Sequence, residues 1–189
     1  METLSRDILT GNLTLLASPH ENMRAVGNHE WSPDGKAIFY GQRSKTKNLT
    51  QIIRREIEIG TEKELFLGSN RNPFFLSCSP DGNWLSFFQK FGTVLKIMPA
   101  GGGEPRELYR CEQGNHLSTL RWTRDGKYIL FVIRPLANSI RQPEQNKCSL
   151  WRISAEGGEP ENLGLEINYT EHLSTHPDGQ LIAFFPKMK

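Results

Sequence analysis

A five-residue turn motif occurs four times along the chain, and this repeat constrains the fold more than any other feature of the sequence. The copies read WSPDG, CSPDG, WTRDG and THPDG, and they span Trp31–Gly35, Cys78–Gly82, Trp122–Gly126 and Thr175–Gly179. Their first residues are 47, 44 and 53 positions apart in a chain of 189 residues. Repeats with a period of roughly 20–50 residues are typical of solenoids and propellers, in which each repeat forms one supersecondary unit.

The chemistry of the motif predicts a tight turn between two antiparallel strands. Proline presets φ, aspartate bonds its own backbone, and glycine accepts a positive φ. A type I turn tolerates Arg124, which replaces proline in the third copy. An apolar run follows every turn: Ala37–Tyr40, Trp84–Phe88, Tyr128–Ile133 and Leu181–Phe185. We expect the residue that opens each copy to end the incoming strand and to pack against a neighbouring sheet; these residues are Trp31, Cys78, Trp122 and Thr175.

A second hairpin follows in each of the first three repeats. Two of its turns share the sequence Gly-Gly-Glu-Pro, at Gly102–Pro105 and Gly157–Pro160, and the turn of the first repeat is Gly60–Thr61. Each repeat therefore holds four short strands, as one propeller blade does. The 17 glycines and 11 prolines fit a chain with many turns, and no segment has the periodicity of an amphipathic helix. The sequence predicts an all-β fold.

The predicted architecture is a β-propeller of four-stranded antiparallel blades, with three complete blades and two half blades in a single domain, 1–189. The expected units are a half blade 2–17, blades 24–67, 72–109 and 116–164, and a half blade 169–186. We expect the two halves to pair, within one chain or between two, because pairing removes exposed strand edges. Pairing within one chain gives a four-bladed ring, and without pairing the chain is a partial propeller.

Charge and hydrophobicity argue against several classes of function. The chain carries 23 Lys and Arg against 21 Asp and Glu, and a net charge of +2 is not typical of a nucleic-acid-binding protein. No stretch approaches the ~18 uninterrupted apolar residues of a membrane helix, so membrane insertion is not expected. No basic segment followed by an apolar run marks a secretory signal in this chain. The three cysteines, Cys78, Cys111 and Cys148, lack metal-ligand spacing.

The S-P-D-G turns, the I-A-F-like strands after them and the Gly-Gly-Glu-Pro turns resemble TolB-like, WD-like β-propeller repeats. The resemblance extends from Thr3 to Phe185, nearly the whole chain. Similar repeats form the propeller domains of prolyl-oligopeptidase-type peptidases and extracytoplasmic parts of some bacterial kinases. The resemblance implies a bacterial protein in a periplasmic or other extracytoplasmic setting, although this fold hosts many functions.

No catalytic or cofactor motif is present. The sequence lacks a Gly-x-Ser-x-Gly nucleophile elbow and a phosphate-binding loop. We interpret the repeated Asp34, Asp81, Asp125 and Asp178 as turn caps, because the blade repeat separates them too widely for one calcium ion. His172 and His176 would lie about 13 Å apart along a strand, too far for one metal ion. Neither a metal nor a cofactor is therefore expected.

The first strands of the blades carry the remaining candidate site, since they would line the central channel. Three leucines in one register, Leu76, Leu120 and Leu173, should be packing positions, with His29 as the exception. The polar residues expected to face the channel mouth are Asn28, Glu30, Thr119, Arg121 and His172.

These features predict a non-catalytic module that binds a protein partner. Two alternatives stay open. One is a sensor or gating propeller that belongs to a larger peptidase or kinase. The other is a small-molecule or sugar-processing enzyme, with Glu30 and His172 as its acid and base. A homodimer formed by exchange of terminal strands is a further expectation.

Overall fold

The computed structural model describes residues 3–6, 12–69, 75–89, 92–136, 147–167, 173–176 and 178–184. These residues form sixteen strands and no helix. The all-β prediction is therefore confirmed. No segment capable of crossing a lipid bilayer as a helix is found in the described part of the chain.

The strands form three four-stranded antiparallel sheets and two hairpins. The N-terminal hairpin pairs β1 (Thr3–Arg6) with β2 (Leu13–Ala17). The first sheet contains β3 (Met23–Trp31), β4 (Ala37–Ser44), β5 (Leu49–Glu56) and β6 (Glu62–Ser69). The second sheet contains β7 (Leu76–Cys78), β8 (Trp84–Gln89), β9 (Val94–Pro99) and β10 (Arg106–Arg110). The third sheet contains β11 (Asn115–Trp122), β12 (Tyr128–Pro135), β13 (Cys148–Ser154) and β14 (Glu161–Ile167). The C-terminal hairpin pairs β15 (Leu173–Thr175) with β16 (Ile182–Phe184).

The repeated turns have the predicted geometry. In the first copy, Ser32 Oγ donates to Asp34 Oδ1 at 2.6 Å and accepts the Ala37 N–H at 2.8 Å. Ser79 with Asp81 and Thr123 with Asp125 repeat this arrangement. The turn glycines all have positive φ: Gly35 (70°), Gly82 (75°), Gly126 (68°) and Gly179 (78°). The hydroxyl–aspartate–glycine chemistry of the motif thus specifies the first three turns locally. In the fourth copy His176 replaces the hydroxyl residue, and its Nδ1 lies 2.8 Å from Asp178 Oδ1.

The sheets stack face to face, and their first strands meet on one side of the stack. Close contacts join β3 to β7, β7 to β11, and β11 to β15. One apolar cluster fills the space between the first and second sheets, around Phe39, Ile52 and Phe87. Another lies between the second and third sheets, around Phe88 and Trp122. This is the arrangement of propeller blades around an axis, and the predicted fold class is confirmed.

Turns after the first and third strands lie at the same end of each sheet, because neighbouring strands are antiparallel. We call this end the turn face; it comprises residues 32–36, 57–61, 79–83, 100–105, 123–127 and 155–160. Consecutive turns of the repeated motif lie side by side there. A Cβ placed on Gly82 would lie 3.5 Å from Cδ of Pro33, and one on Gly126 would lie 3.9 Å from Cδ of Pro80.

One expectation needs correction. Cys78 and Trp122 are buried between sheets as predicted, at 9% and 5% exposed, but Trp31 is 47% exposed. The N-terminal hairpin packs on this face of the first sheet through Leu16 and Ala17 of β2, which contact Ile38, Tyr40 and Ile53, and Trp31 lies outside that cluster. Among the described strands the terminal hairpins form two separate sheets, so the chain by itself has the predicted three complete blades and two half blades. Pairing of the halves between two chains stays a prediction.

Candidate functional site

Asn28 joins the first strands of the first and second sheets. Its Nδ2 donates to the Leu76 carbonyl at 2.9 Å, and its Oδ1 accepts the Leu76 N–H at 2.7 Å. A bulge between Val26 and His29, with Gly27 at φ 76°, interrupts the register at this point. A bulge re-aims a side chain, and here the Asn28 amide completes the hydrogen bonds of a neighbouring strand. Its polar atoms are used within the fold.

Glu30 lies where the first strands of three sheets come together. Its Oε1 is 3.5 Å from Ser77 Oγ and 3.4 Å from the Cys78 backbone nitrogen, and both groups donate to it. Burial raises the pKa of Glu30, while the positive charge of Arg121 and these two hydrogen bonds act in the opposite direction. Arg121 itself donates from one guanidinium nitrogen to the Leu120 carbonyl at 2.8 Å.

Thr119 is buried, at 3% exposed, and has a positive φ of 58°. It forms the bulge between Ser118 and Leu120 in β11. Its hydroxyl has no hydrogen-bond partner among the described residues, and the same holds for the Ser118 hydroxyl and for Nδ1 of His116. The structure thus places Thr119 inside the β11 bulge, in a conformation that β-branched residues rarely adopt.

The packing positions of the first strands are confirmed, since Leu76, Leu120 and Leu173 are 2%, 0% and 2% exposed. His29 occupies the equivalent position in β3 and is half-buried, with its ring centroid 6.4 Å from that of Tyr40. The structure therefore brings Asn28, Glu30 and Arg121 near the meeting point of the first strands and buries Thr119. The fifth candidate, His172, lies outside the described residues, and so does its expected pairing with Glu30.

The turn aspartates use their carboxylates inside their own turns. Hydrogen bonds from Ser79 and from the Asn83 backbone hold the pKa of Asp81 below its ordinary value. The pKa of Asp34 is lowered in the same way by Ser32 and the Lys36 backbone. These contacts support the interpretation of the aspartates as turn caps. Within the described ranges, no three His, Cys, Asp or Glu side chains lie close enough to hold one metal ion.

A polar cluster around Glu62 was not foreseen from the sequence. Its carboxylate accepts hydrogen bonds from His20 at 2.6 Å, Tyr40 at 2.9 Å and Arg55 at 2.9 Å. Burial opposes ionisation of Glu62, yet these three bonds outweigh it and lower its pKa. Burial and the nearby carboxylate raise the pKa of Tyr40. His20 and Glu62 are 42 positions apart in the sequence, so their contact exists only in the folded sheet and is not visible from the sequence.

A cleft of about 310 Å³ opens on the turn face between the first and second sheets. Its lining residues are Arg54, Glu56, Thr61, Glu62, Lys63 and Gly101. Lys63 Nζ donates to the Gly101 carbonyl at 2.6 Å and so joins the two walls. Two cationic and two anionic side chains line the cleft, so its charge is balanced.

Two large apolar side chains at the turn face remain in contact with solvent. Ile59 is 70% exposed and precedes the lining residue Thr61 by two positions, whereas Trp84 is 37% exposed. Trp84 follows Asn83, whose carbonyl accepts the Ala100 N–H at 2.8 Å beside Gly101. We call Ile59, Trp84 and the cleft together the turn-face surface.

The sequence matches no protein-family profile and no curated protein. The fold does resemble solved structures. An oligogalacturonate lyase in complex with manganese aligns with a TM-score of 0.73 and 14% identity, over 96% of this chain and 52% of the lyase. TolB from Acinetobacter baumannii aligns with a TM-score of 0.71 and 18% identity, over 98% of this chain and 43% of TolB. A chain of a nidogen/laminin complex aligns with a TM-score of 0.71 and 8% identity, over 97% of this chain and 65% of that one.

The chain thus spans about half the length of the lyase and TolB structures that it matches. At these identities the similarity shows the fold alone. The TolB-like fold expected from the repeated turns agrees with the alignment to TolB.

Proposed function

We propose that this chain, a β-propeller with the TolB-like fold, is a non-catalytic module that binds a protein partner through the turn-face surface. The observation that carries the proposal is the exposure of two large apolar side chains at the turn face, Trp84 and Ile59. Protein-binding sites are enriched in aromatic side chains, and tryptophan is prominent among the residues that dominate binding energy. Large apolar side chains exposed on a polar surface favour this interpretation.

The geometry near the axis supports a structural role for the first-strand candidates. Both polar atoms of the Asn28 amide bond to Leu76, and Glu30 accepts hydrogen bonds from Ser77 and Cys78. Groups that hold neighbouring sheets together are less available for a substrate. This favours a binding surface elsewhere, on the turn face.

The similar folds include both kinds of function. The nidogen/laminin structure is a complex between proteins, whereas the oligogalacturonate lyase is an enzyme that was crystallised with manganese. The envelope setting and the sensor or gating role in a larger peptidase or kinase stay predictions. A catalytic domain in the same reading frame would favour that sensor role over an independent module.

The proposal is tested by affinity capture with the full chain and two variants. Trp84→Ala removes the anchor on the turn face, whereas Leu67→Ala removes a side chain that is 52% exposed on the outer strand β6. A protein recovered by the wild type and by Leu67→Ala is then purified, and its affinity for each form is measured. We expect Trp84→Ala to weaken binding at least about tenfold, as for an interface hot spot. Equal affinity of all three forms would contradict the proposal.

One observation favours the enzymatic alternative, namely the raised pKa of Glu30 beside Arg121. Carboxyl groups with perturbed pKa values occur often in active sites. Turnover of oligogalacturonate in the presence of Mn²⁺, abolished by Glu30→Gln, would establish this second function. If the wild type shows no turnover, the role of Glu30 is limited to its contacts between the sheets.

A further inference from the structure

Trp122 shows how a tryptophan at the opening position of the turn motif becomes covered. Its Nε1 donates a 3.0 Å hydrogen bond to the Ser77 carbonyl in the preceding sheet. Ser77 pairs with Ser86 across β7 and β8, and both side chains are buried, at 2% and 0% exposed. Two small residues side by side leave space for an indole ring in an otherwise close-packed interface.

Trp31 holds the same position in the first sheet, but its side chain is 47% exposed. Trp31 pairs with Ile38 in β4 just as Trp122 pairs with Ile129 in β12, so the two residues are equivalent. The N-terminal hairpin reaches this face of the first sheet through β2, which packs against Ile38 and its neighbours. The open part of this face, which we call the Trp31 face, is where the first and second strands of the preceding blade would lie.

The C-terminal hairpin consists of a first and a second strand, and its free face carries small residues. Ser174 pairs with Ala183 in the register that Ser77 and Ser86 have in the second sheet. Both Ser174 and Ala183 are exposed. The opposite face of the hairpin packs against the third sheet through Leu173.

The size of the side chains distinguishes this hairpin from the complete sheets. The four equivalent pairs are Glu30–Phe39, Ser77–Ser86, Arg121–Leu130 and Ser174–Ala183. The pairs of the first and third sheets are bulky and leave no space for an indole. The small pair of the second sheet already holds Trp122. The small pair of the C-terminal hairpin therefore has the shape that fits the Trp31 face.

We propose that the C-terminal hairpin of a second copy of this chain covers the Trp31 face, with Trp31 Nε1 donating to the Ser174 carbonyl. Within one chain the two terminal hairpins form separate sheets, and the close first-strand contacts run from β3 through β7 and β11 to β15. A reciprocal exchange gives both copies the same contact around a two-fold axis. Six complete sheets and two composite blades then make eight, within the range of about 4–8 known for propellers.

This assembly goes beyond the proposed binding function and uses different residues, so the two fail independently. Its test is the mass in solution of the full chain and three variants, measured by size-exclusion chromatography with light scattering over a wide concentration range. The wild type is expected at twice the chain mass of 21.6 kDa. Trp31→Ala removes the indole and Ser174→Trp fills the space for it, and each should raise the dimer dissociation constant at least about tenfold. Trp84→Ala, the matched tryptophan control, should leave the dimer unchanged.

A wild type that stays monomeric at every concentration overturns the proposal. So does a dimer with wild-type affinity in both Trp31→Ala and Ser174→Trp, because the contact would then lie elsewhere. Circular dichroism and the unfolding midpoint verify that each variant is folded, and if one of the two fails to fold, the other decides. Tryptophan emission gives a second readout. Dimerisation should shift the wild-type emission to the blue and should leave that of Trp31→Ala unshifted.

Discussion

The indole of Trp122 reaches from the third sheet to the second, where its Nε1 donates a 3.0 Å hydrogen bond to the carbonyl of Ser77. The Ser86 hydroxyl donates to the same carbonyl at 3.1 Å. A large side chain on one blade thus fits against two small ones on the blade before it. This relationship explains the burial of Trp122, which is 5% exposed, whereas its equivalent Trp31 is 47% exposed.

Trp122→Ala should lower the free energy of unfolding by about 3–5 kcal/mol, because it opens a cavity between two sheets. Trp122→Phe keeps most of the volume and loses the hydrogen bond to Ser77, so we expect a smaller loss, about 1–2 kcal/mol. Urea unfolding followed by circular dichroism measures both. Trp84→Ala is the comparison and should cost clearly less than Trp122→Ala, because Trp84 is 37% exposed and Trp122 only 5%. Similar losses at both tryptophans would contradict the packing described here.

Gly82→Val should destabilise the fold by about 1–3 kcal/mol, because Gly82 has a φ of 75° that β-branched residues adopt at a cost. The added side chain would also approach Pro33 of the preceding turn. Gly101→Val is the matched control, since a Cβ at Gly101 meets no atom within 4 Å and its φ is not in the left-handed region. Thermal unfolding compares the two variants. An unchanged midpoint in Gly82→Val would refute the turn assignment.

The stability should depend on pH through the turn aspartates, and Asp81 is a suitable probe. Its pKa is lower in the folded chain than the value of about 3.9 in an unfolded one. The ionised form therefore stabilises the fold above that value, and this contribution is lost as the pH falls through the unfolded and then the folded pKa. The difference in unfolding free energy between the wild type and Asp81→Asn should be largest near neutral pH and shrink toward acid.

Ser79→Ala is a second variant for the same measurement, because the hydrogen bond from the Ser79 hydroxyl contributes most to the lowered pKa of Asp81. It should flatten the acid dependence in the same direction as Asp81→Asn. If the difference between the wild type and Asp81→Asn is the same at every pH, Asp81 does not stabilise the turn through its charge.

The regular part of the fold could be predicted from the sequence because its causes are local. The aspartate and glycine of each turn are neighbours in the chain, and their hydrogen bonds and φ angles depend on little else. The register of the first strands followed from counting back from each turn, which correctly identified Leu76, Leu120 and Leu173 as buried. The stacking of similar repeats then gives the propeller.

The features that the sequence did not reveal depend on neighbours from other repeats. The exposure of Trp31 results from which strands lie on the adjacent blade. The amide of Asn28 bonds to Leu76, which is 48 positions away, and Glu62 meets His20 across a similar distance. The bulge at Thr119 moves its side chain into the interior, and no glycine or asparagine at the bulge itself indicates it.

Thr119→Gly should stabilise the chain by up to about 1 kcal/mol, although glycine usually weakens a strand. The change relieves the positive φ of 58° and removes a buried hydroxyl that has no partner in the described part of the chain. Thr50→Gly is the control, at a buried threonine of β5 without such a φ, and it should be destabilising. Urea midpoints compare both with the wild type. Equal destabilisation of the two variants would show that the Thr119 conformation is not strained.

Hydrogen exchange of the full chain with and without its purified protein partner tests the binding role most directly. Peptides that contain Ile59 and Trp84 should gain the strongest protection, while those that contain Asn28 and Glu30 should change little. Protection centred on the first strands instead, with none at Ile59 or Trp84, would contradict binding through the turn-face surface.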